Sequence, residues 1–357
     1  MSLPPSEVPQ GAIRFNTDSQ RLEFYAQGEW WVMSTDTPNL ATSGESTPGA
    51  RGLFAGGYQP GAYQNDIDYI NIASTGNTQD FGTLNNAVTA GGGVGSSTRA
   101  LFAGGYISPS PNAYAQIDTV VFASTGNASD FGDLNNSGNI RRGTAGNATR
   151  GLFAGGGVPT SAAQIDYVTI ATTGTANDLG DLTVARSRFG GGGSPVRGVF
   201  AGGFGGPSPA SAWYNVIDFV NIATIGNAQD FGDLTRGKNW TASCSNATRM
   251  LIAGGSIAPD GNTAVSEMEY ATIASGGNAI IFGDLDKVVD TGAYAGSGVA
   301  SSTRGVFNAA LFRNPGVTYV NTIYYVQIST QGKAVDFGDL DGARYGVQTA
   351  SNGHGGL

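Results

Sequence analysis

From about residue 50 onward, short apolar runs alternate with clusters of Gly, Asn, Ser and Thr, and the alternation recurs. Two of the runs are nearly unbroken. One reads R-G-L-F-A and ends on a Gly pair such as Gly104-Gly105 or Gly202-Gly203; the other is Ile-rich, as in residues 67–73, 117–123 and 217–223. Neither carries a 3.6-residue period, and continuous apolar runs of this length predict strands covered on both faces. A small, Gly-rich run precedes them, as in 90–95, 143–146, 189–193, 241–244 and 292–299, and a run around F-G-D-L follows. Each recurrence therefore predicts four strands.

The recurrences open on Arg51, Arg99, Arg150, Arg197, Arg249 and Arg304, so the period is close to fifty residues. A period of that size suits one four-stranded propeller blade. The phase adds closure. The first copy enters at its second strand, at Arg51, and after Arg344 the chain ends on a segment, 346–352, that reads as the first strand of a further copy. The expectation is an all-β, six-bladed β-propeller over residues 50–357, closed by the C-terminal strand, which leaves no exposed sheet edge at the seam. Glycine runs such as Gly190-Gly191-Gly192-Gly193 fit innermost strands that converge where bulky side chains would collide. A phosphate-cradling loop would need a helix after the glycines, and no helical pattern follows.

Residues 1–36 differ. A Pro-rich arm leads into three short alternating runs, 12–15, 21–25 and 30–33, separated by turn residues, which predict a small β-meander. Residues 37–49, rich in Thr, Ser, Pro and Gly, read as a linker. Three strands bury little alone. Phe15, Phe24, Tyr25, Trp30 and Trp31 in that meander therefore mark an expected assembly interface, with attachment or oligomerisation as its role.

The net charge of −9 removes the basic footprint of a nucleic-acid binder and the polybasic run of a membrane-surface protein. The single cysteine, Cys244, excludes an internal disulfide framework and reads as a buried thiol. No secretory signal or membrane-length apolar run is visible. The only histidine, His354, stands near the C-terminus, so a serine triad or multi-histidine metal site has little to be built from. No calcium-loop pattern is present, and neither metal nor cofactor is expected. The recurring acids Asp68, Asp118, Asp166, Asp218 and Glu269, and Asp133, Asp181, Asp233, Asp284 and Asp339, suggest pairing with the repeated arginines or turn capping.

The order R-G, hydrophobic strand ending in Gly-Gly, long loop and third strand resembles the kelch motif, with Phe131, Phe231, Phe282 and Phe337, or Leu179, where kelch repeats usually carry Trp. The copies also resemble those of virion structural proteins of tailed bacteriophages, particularly cyanophages. Residues 11–18, 22–25 and 29–32 are similar to a segment recurring in tail-fibre and other virion proteins. The resemblance implies a virus particle component, made in the host bacterial cytoplasm. With the meander aromatics it gives the expectation of a non-enzymatic, homo-oligomeric tail-fibre or appendage protein that contacts other virion proteins through its N-terminal segment. A capsid or tail decoration or scaffold protein is the rival, and a glycan-active enzyme is the third class. The resemblance implies no catalytic residues.

Function is expected in what does not repeat. The connections between second and third strands differ in every copy, and such loops over a repetitive scaffold are where binding residues concentrate. They carry Tyr63, Tyr114, Trp213, Tyr214 and Tyr319. Arg186 and Arg236, in the connections between successive copies, are expected at the same mouth. Aromatic faces with polar rims suit a host-surface glycan; covering the blade tops, or contacting a neighbouring subunit, is the other reading. The turns T-G-N-A and S-S-T-R hardly vary and read as structural.

Overall fold

The computed structural model describes residues 8–16, 21–32, 50–107, 112–135, 143–157, 161–206, 212–257, 263–285, 293–312 and 318–357. Among these there is no helix. The chain divides into two units, Met1–Thr47 and Pro48–Leu357.

In the first unit, Ile13–Asn16, Arg21–Ala26 and Glu29–Val32 form an antiparallel meander. Met33, expected in its last strand, lies outside the described residues. The pairing Ile13↔Phe24, Phe15↔Leu22 and Phe24↔Trp31 places five apolar side chains on one face, and all five are exposed. The other face carries Tyr25, buried, packed on Trp30 with ring centroids 5.3 Å apart. Arg14 lies over Trp30 at 4.1 Å and pairs with Glu23 at 2.8 Å. Of the five aromatics expected at an interface, Phe15, Phe24 and Trp31 are thus presented outward. Tyr25 and Trp30 are turned to the opposite face, because strand alternation separates neighbours in sequence.

The second unit holds six antiparallel sheets, each built on a row of four strands, and sheet six adds Thr318–Tyr319 beside its second strand; in sheets two to six the pairing order of the row follows the chain. Sheet two is Gly92–Gly95, Arg99–Ala103, Gln116–Val121 and Ser129–Asp133. Sheet three begins at Gly143–Gly146, sheet four at Gly190–Gly193, sheet five at Ala242–Ser245 and sheet six at Ala293–Ala300. Sheet one is completed from the far end of the chain: Gln348–Ser351 pairs with Arg51–Ala55, Gln348 opposite Ala55 and Ser351 opposite Gly52. The expected origin of this strand at the C-terminus is what the register shows.

Each first strand touches the first strands of the sheets before and after it, and that of sheet six touches that of sheet one. The core is divided accordingly into six clusters, each shared by two successive sheets. Leu53, Phe81, Phe102 and Phe122 join sheets one and two; Phe54, Val299, Phe337 and Val347 join sheets six and one.

Three motifs tie each sheet to the next. The opening arginine is the first. Its guanidinium donates to carbonyls at the end of the following sheet's third strand: Arg51 to Phe122, Arg99 to Ala171, Arg150 to Ile222, Arg197 to Ile273, Arg249 to Ile328 and Arg304 to Ile72. In five copies it also lies over a ring of its own third strand, as Arg150 does over Tyr167 at 4.5 Å. The recurring acids Asp218 and Asp68 pair instead with Arg186 and Arg344, the arginines between successive copies. The second motif is the turn Gly. Its N–H donates to the preceding sheet's fourth strand, Gly226 to Leu179 at 2.7 Å and Gly76 to Phe337 at 2.8 Å. The third is the glycine of F-G-D-L. Gly180 has φ of +145°, and a Cβ there would collide with the Gly226 carbonyl.

The first strands explain their own composition. Their outer edges face one another, and small hydroxyls satisfy backbone groups across the gap. Ser243 Oγ receives the Gly191 N–H and donates to the Gly191 carbonyl, each at 2.8 Å. Ser245 does the same for Gly193, and Thr349 donates to the Gly298 carbonyl at 2.9 Å. Toward sheet three, Gly191 lets backbones meet directly: a Cβ on Gly191 would collide with the Thr144 carbonyl.

Candidate functional site

The variable connections fold back on themselves as short hairpins. Tyr58–Gln59 pairs with Ala62–Tyr63, Tyr106–Ile107 with Asn112–Ala113, Phe204–Gly205 with Ala212–Trp213 and Ser256–Ile257 with Thr263–Ala264. Each is extended by the segment that enters the same sheet from its predecessor. Val88–Thr89 pairs with the second hairpin and Lys238–Asn239 with that of sheet five. Tyr345 bridges Tyr58, and Ser187 bridges Phe204. The two kinds of connection, expected on one side, therefore lie hydrogen-bonded together. Residues 108–111, 158–160, 207–211, 258–262 and 313–317 of these connections lie outside the described residues.

The aromatics gather in two groups. In the first, Tyr58 contacts Tyr63 edge-on at 5.7 Å and Tyr345 at 5.3 Å, and Tyr345 stacks on Tyr319 at 5.7 Å with planes 19° apart. This group joins the hairpins of sheets one and six, and all four rings are half-buried. In the second, Trp213 meets Phe204 edge-on at 5.1 Å, and the Arg188 guanidinium lies 5.1 Å from Phe204 and 5.0 Å from Trp240. Trp213 Nε1 is buried and has no hydrogen-bond partner among the described residues. Tyr214 follows on the other side of its strand, its N–H bonded to the Gly203 carbonyl. Tyr114 stands apart from both groups. Its hydroxyl donates to Gln116 and accepts from Asn86 Nδ2 at 2.6 Å, and burial pushes it up to about 12.

Sequence reasoning singled out Tyr63, Tyr319 and Trp213 but not their partners Tyr58, Tyr345, Phe204, Arg188 and Trp240. One signal was available: an aromatic follows the Gly-Gly pair in three copies, at Tyr58, Tyr106 and Phe204.

The cations divide differently from the expectation. Arg186 is fully buried and pairs with Asp218 at 3.0 Å, both side chains shielded from solvent. It belongs to the sheet interior rather than to the mouth. Arg344 pairs likewise with Asp68, and Lys238 with Glu269. These three cations share one repeat position, four residues beyond the Leu of F-G-D-L, and each meets the third-strand acid of the sheet it enters. In the copy that enters sheet two that position is Val88, and Asp118 takes the Asn85 N–H at 3.0 Å and its Nδ2 at 2.7 Å instead. Burial raises the Asp118 carboxyl, and raises Asp68 to about 7 although Arg344 pulls it back. Arg236 sits two residues earlier in the repeat than Lys238. It is half exposed and pairs with Glu267. Lys287 lies outside the described residues.

Cys244 is buried against sheet six, and burial pushes its thiol up. Among the described residues no group of three or more His, Cys, Asp or Glu could hold a metal ion. Among the described residues the face offers aromatic edges and faces held on paired backbone. No known protein-family profile matches the chain, and no curated protein does.

Proposed function

We propose that the six sheets are the blades of a closed, six-bladed, kelch-like β-propeller, and that the protein is a structural component of a tailed-bacteriophage virion, a tail-fibre or appendage protein without catalytic activity. The N-terminal meander attaches it to other virion proteins or to sister chains through the face of Ile13, Phe15, Leu22, Phe24 and Trp31. The hairpin side of the propeller meets the host surface, with a glycan as ligand.

One observation carries this reading. The scaffold motifs repeat almost unchanged, while the hairpins differ and concentrate Tyr, Trp and Phe in two groups on the side where they pair with the inter-sheet segments. Aromatic rings supply flat apolar area at low conformational cost, as sugar faces require. A second reading has a specific observation of its own. The rings are half-buried against each other, as Tyr319 is on Tyr345, which suits a decoration or scaffold protein whose hairpins only cover the sheets or contact a neighbour.

Binding of purified host surface polysaccharide to the protein, compared with Tyr63→Ala, Tyr319→Ala and Trp213→Ala, separates the two. Glycan recognition predicts measurable binding that falls roughly tenfold or more per lost ring, by analogy with buried aromatic anchors. No binding by the wild-type protein, with normal adsorption of phage carrying all three changes, contradicts it.

A further inference from the structure

Beyond the closing strand, residues 352–357 cross the end of the first strands on the side of the S-S-T-R turns. Asn352 Oδ1 takes the Arg51 N–H at 2.6 Å in sheet one. His354 Nε2 lies 2.6 Å from the Gly95 carbonyl of sheet two. The Gly356 carbonyl takes the Ala148 N–H at 3.1 Å beside sheet three, and the Gly355 N–H donates to Ser245 of sheet five at 2.8 Å. A Cβ on Gly355 would collide with Asn246 and Gly193, and one on Gly356 with Gly146, so the segment is seated as closely as backbone allows. Beneath it lies a cavity of about 130 Å³ lined by the first strands of all six sheets and by His354.

The imidazole has both nitrogens in use. Nδ1 accepts the Gly356 N–H at 3.1 Å, which leaves Nε2 to carry the proton toward the Gly95 carbonyl. Only the neutral ring fits this arrangement. A second proton would go on Nδ1, where it faces the Gly356 N–H and removes the acceptor that seats the tail. We propose that residues 352–357 are a pH-sensitive latch, which closes one end of the central cavity while His354 is neutral and releases it in acid.

Among the described residues no charged side chain lines the cavity to offset protonation of the ring. The strands packed against it, G-G-V-G, G-T-A-G, G-G-G-G, A-S-C-S and Q-T-A-S, carry no acid, lysine or arginine, and the Cys244 thiol is the other titratable group lining the cavity. Arg51, whose main chain meets Asn352, turns its guanidinium onto the Phe122 carbonyl and the Tyr69 ring. Burial accordingly depresses the His354 pKa from its ordinary 6.5, against the Gly95 carbonyl, which favours the protonated form. The sign follows. A depressed folded-state pKa means the seated tail binds fewer protons than the released one. The latch is therefore at full strength above pH 6.5 and weakens as pH falls below it, with an opening constant that rises up to about tenfold per pH unit until the seated ring itself titrates.

Hydrogen exchange of the full chain, corrected for intrinsic rates between pH 8 and pH 4.5, tests this. Amides of 352–357 are expected to lose protection about tenfold per unit below pH 6.5, while those of Gln164–Thr169 hold theirs. His354→Gln, which keeps one donor and one acceptor, is expected to flatten the dependence. As the chain has one histidine, its proton resonance reports the seated ring without assignment. A pH-independent tail, or loss of protection equal in both segments, overturns the proposal. So does a ring that titrates at 6.5 in the folded protein. The wild-type measurements decide it even if the variant does not fold.

Discussion

Deletion of residues 346–357 is expected to lower the unfolding midpoint by about 10 °C or more, or to abolish soluble folding. The segment supplies the whole first strand of sheet one. Its loss leaves Arg51–Ala55 as an unpaired edge, opens the cluster that contains Val347, and takes Ala350 out of the cluster shared with sheet two. It also removes the Thr349 and Ser351 hydroxyls that bond to Gly298 and Ala300 of sheet six. Burial of the apolar side chains and the lost backbone pairing together amount to on the order of 5 kcal/mol, comparable with the whole stability of many domains. Exposed edges of this kind also aggregate. Thermal melts of the truncated and full chains give the answer. An unchanged midpoint would mean that the seam does not depend on this strand.

Arg186→Val is the second large effect, expected to cost roughly 3–5 kcal/mol at pH 7 in chemical denaturation. The substitution strands Asp218 in a fully buried position with only Thr183 left to it, whose Oγ1 donates at 2.6 Å and N–H at 3.2 Å. The chain itself shows the alternative arrangement. Val88 holds this position in the copy that enters sheet two, and there Asp118 relies on two donors from Asn85. Its carboxyl is raised by burial, and an uncompensated Asp218 should follow it. A raised folded-state pKa in an acid removes stability as pH rises above the unfolded value, so the deficit of the variant should shrink as pH falls toward 4. The double variant Arg186→Val/Asp218→Leu should recover most of the loss, since the charge left unpaired is what costs, not the missing bond. A variant whose deficit is the same at pH 4 and pH 7, and is not recovered in the double change, would contradict the ion-pair account.

The repeat, its four strands and the strand returned from the C-terminus were legible because they rest on period and phase, which survive changes of individual residues. The pairing of Asp218 was less legible. Its partner belongs to the preceding copy, and only a count from the Leu of F-G-D-L shows that Arg186, Lys238 and Arg344 are equivalent while Arg236 is not. The role of the opening arginines was hidden for another reason. They bind carbonyls, such as Ile222 for Arg150, and a carbonyl has no signature in sequence. The Tyr58–Tyr345–Tyr319 group joins residues from both ends of the repeat region, so no local pattern marks it. In the meander the alternation was readable, yet listing Tyr25 and Trp30 with Phe24 and Trp31 ignored that neighbours point to opposite faces.

The central claim is that sheet six closes onto sheet one. Gly52, in the second strand of sheet one, and Val299, in the first strand of sheet six, meet at that seam, and a Cβ on residue 52 would lie 3.2 Å from the Val299 Cβ. That is near the separation a disulfide needs. Gly52→Cys combined with Val299→Cys, oxidised at low protein concentration, is predicted to form one intramolecular bond. It should be seen as a monomer with faster non-reducing mobility, no reactive introduced thiol and a raised midpoint. Both introduced thiols left free in the folded protein, beside Cys244, or cross-links only between chains, would contradict closure of the ring.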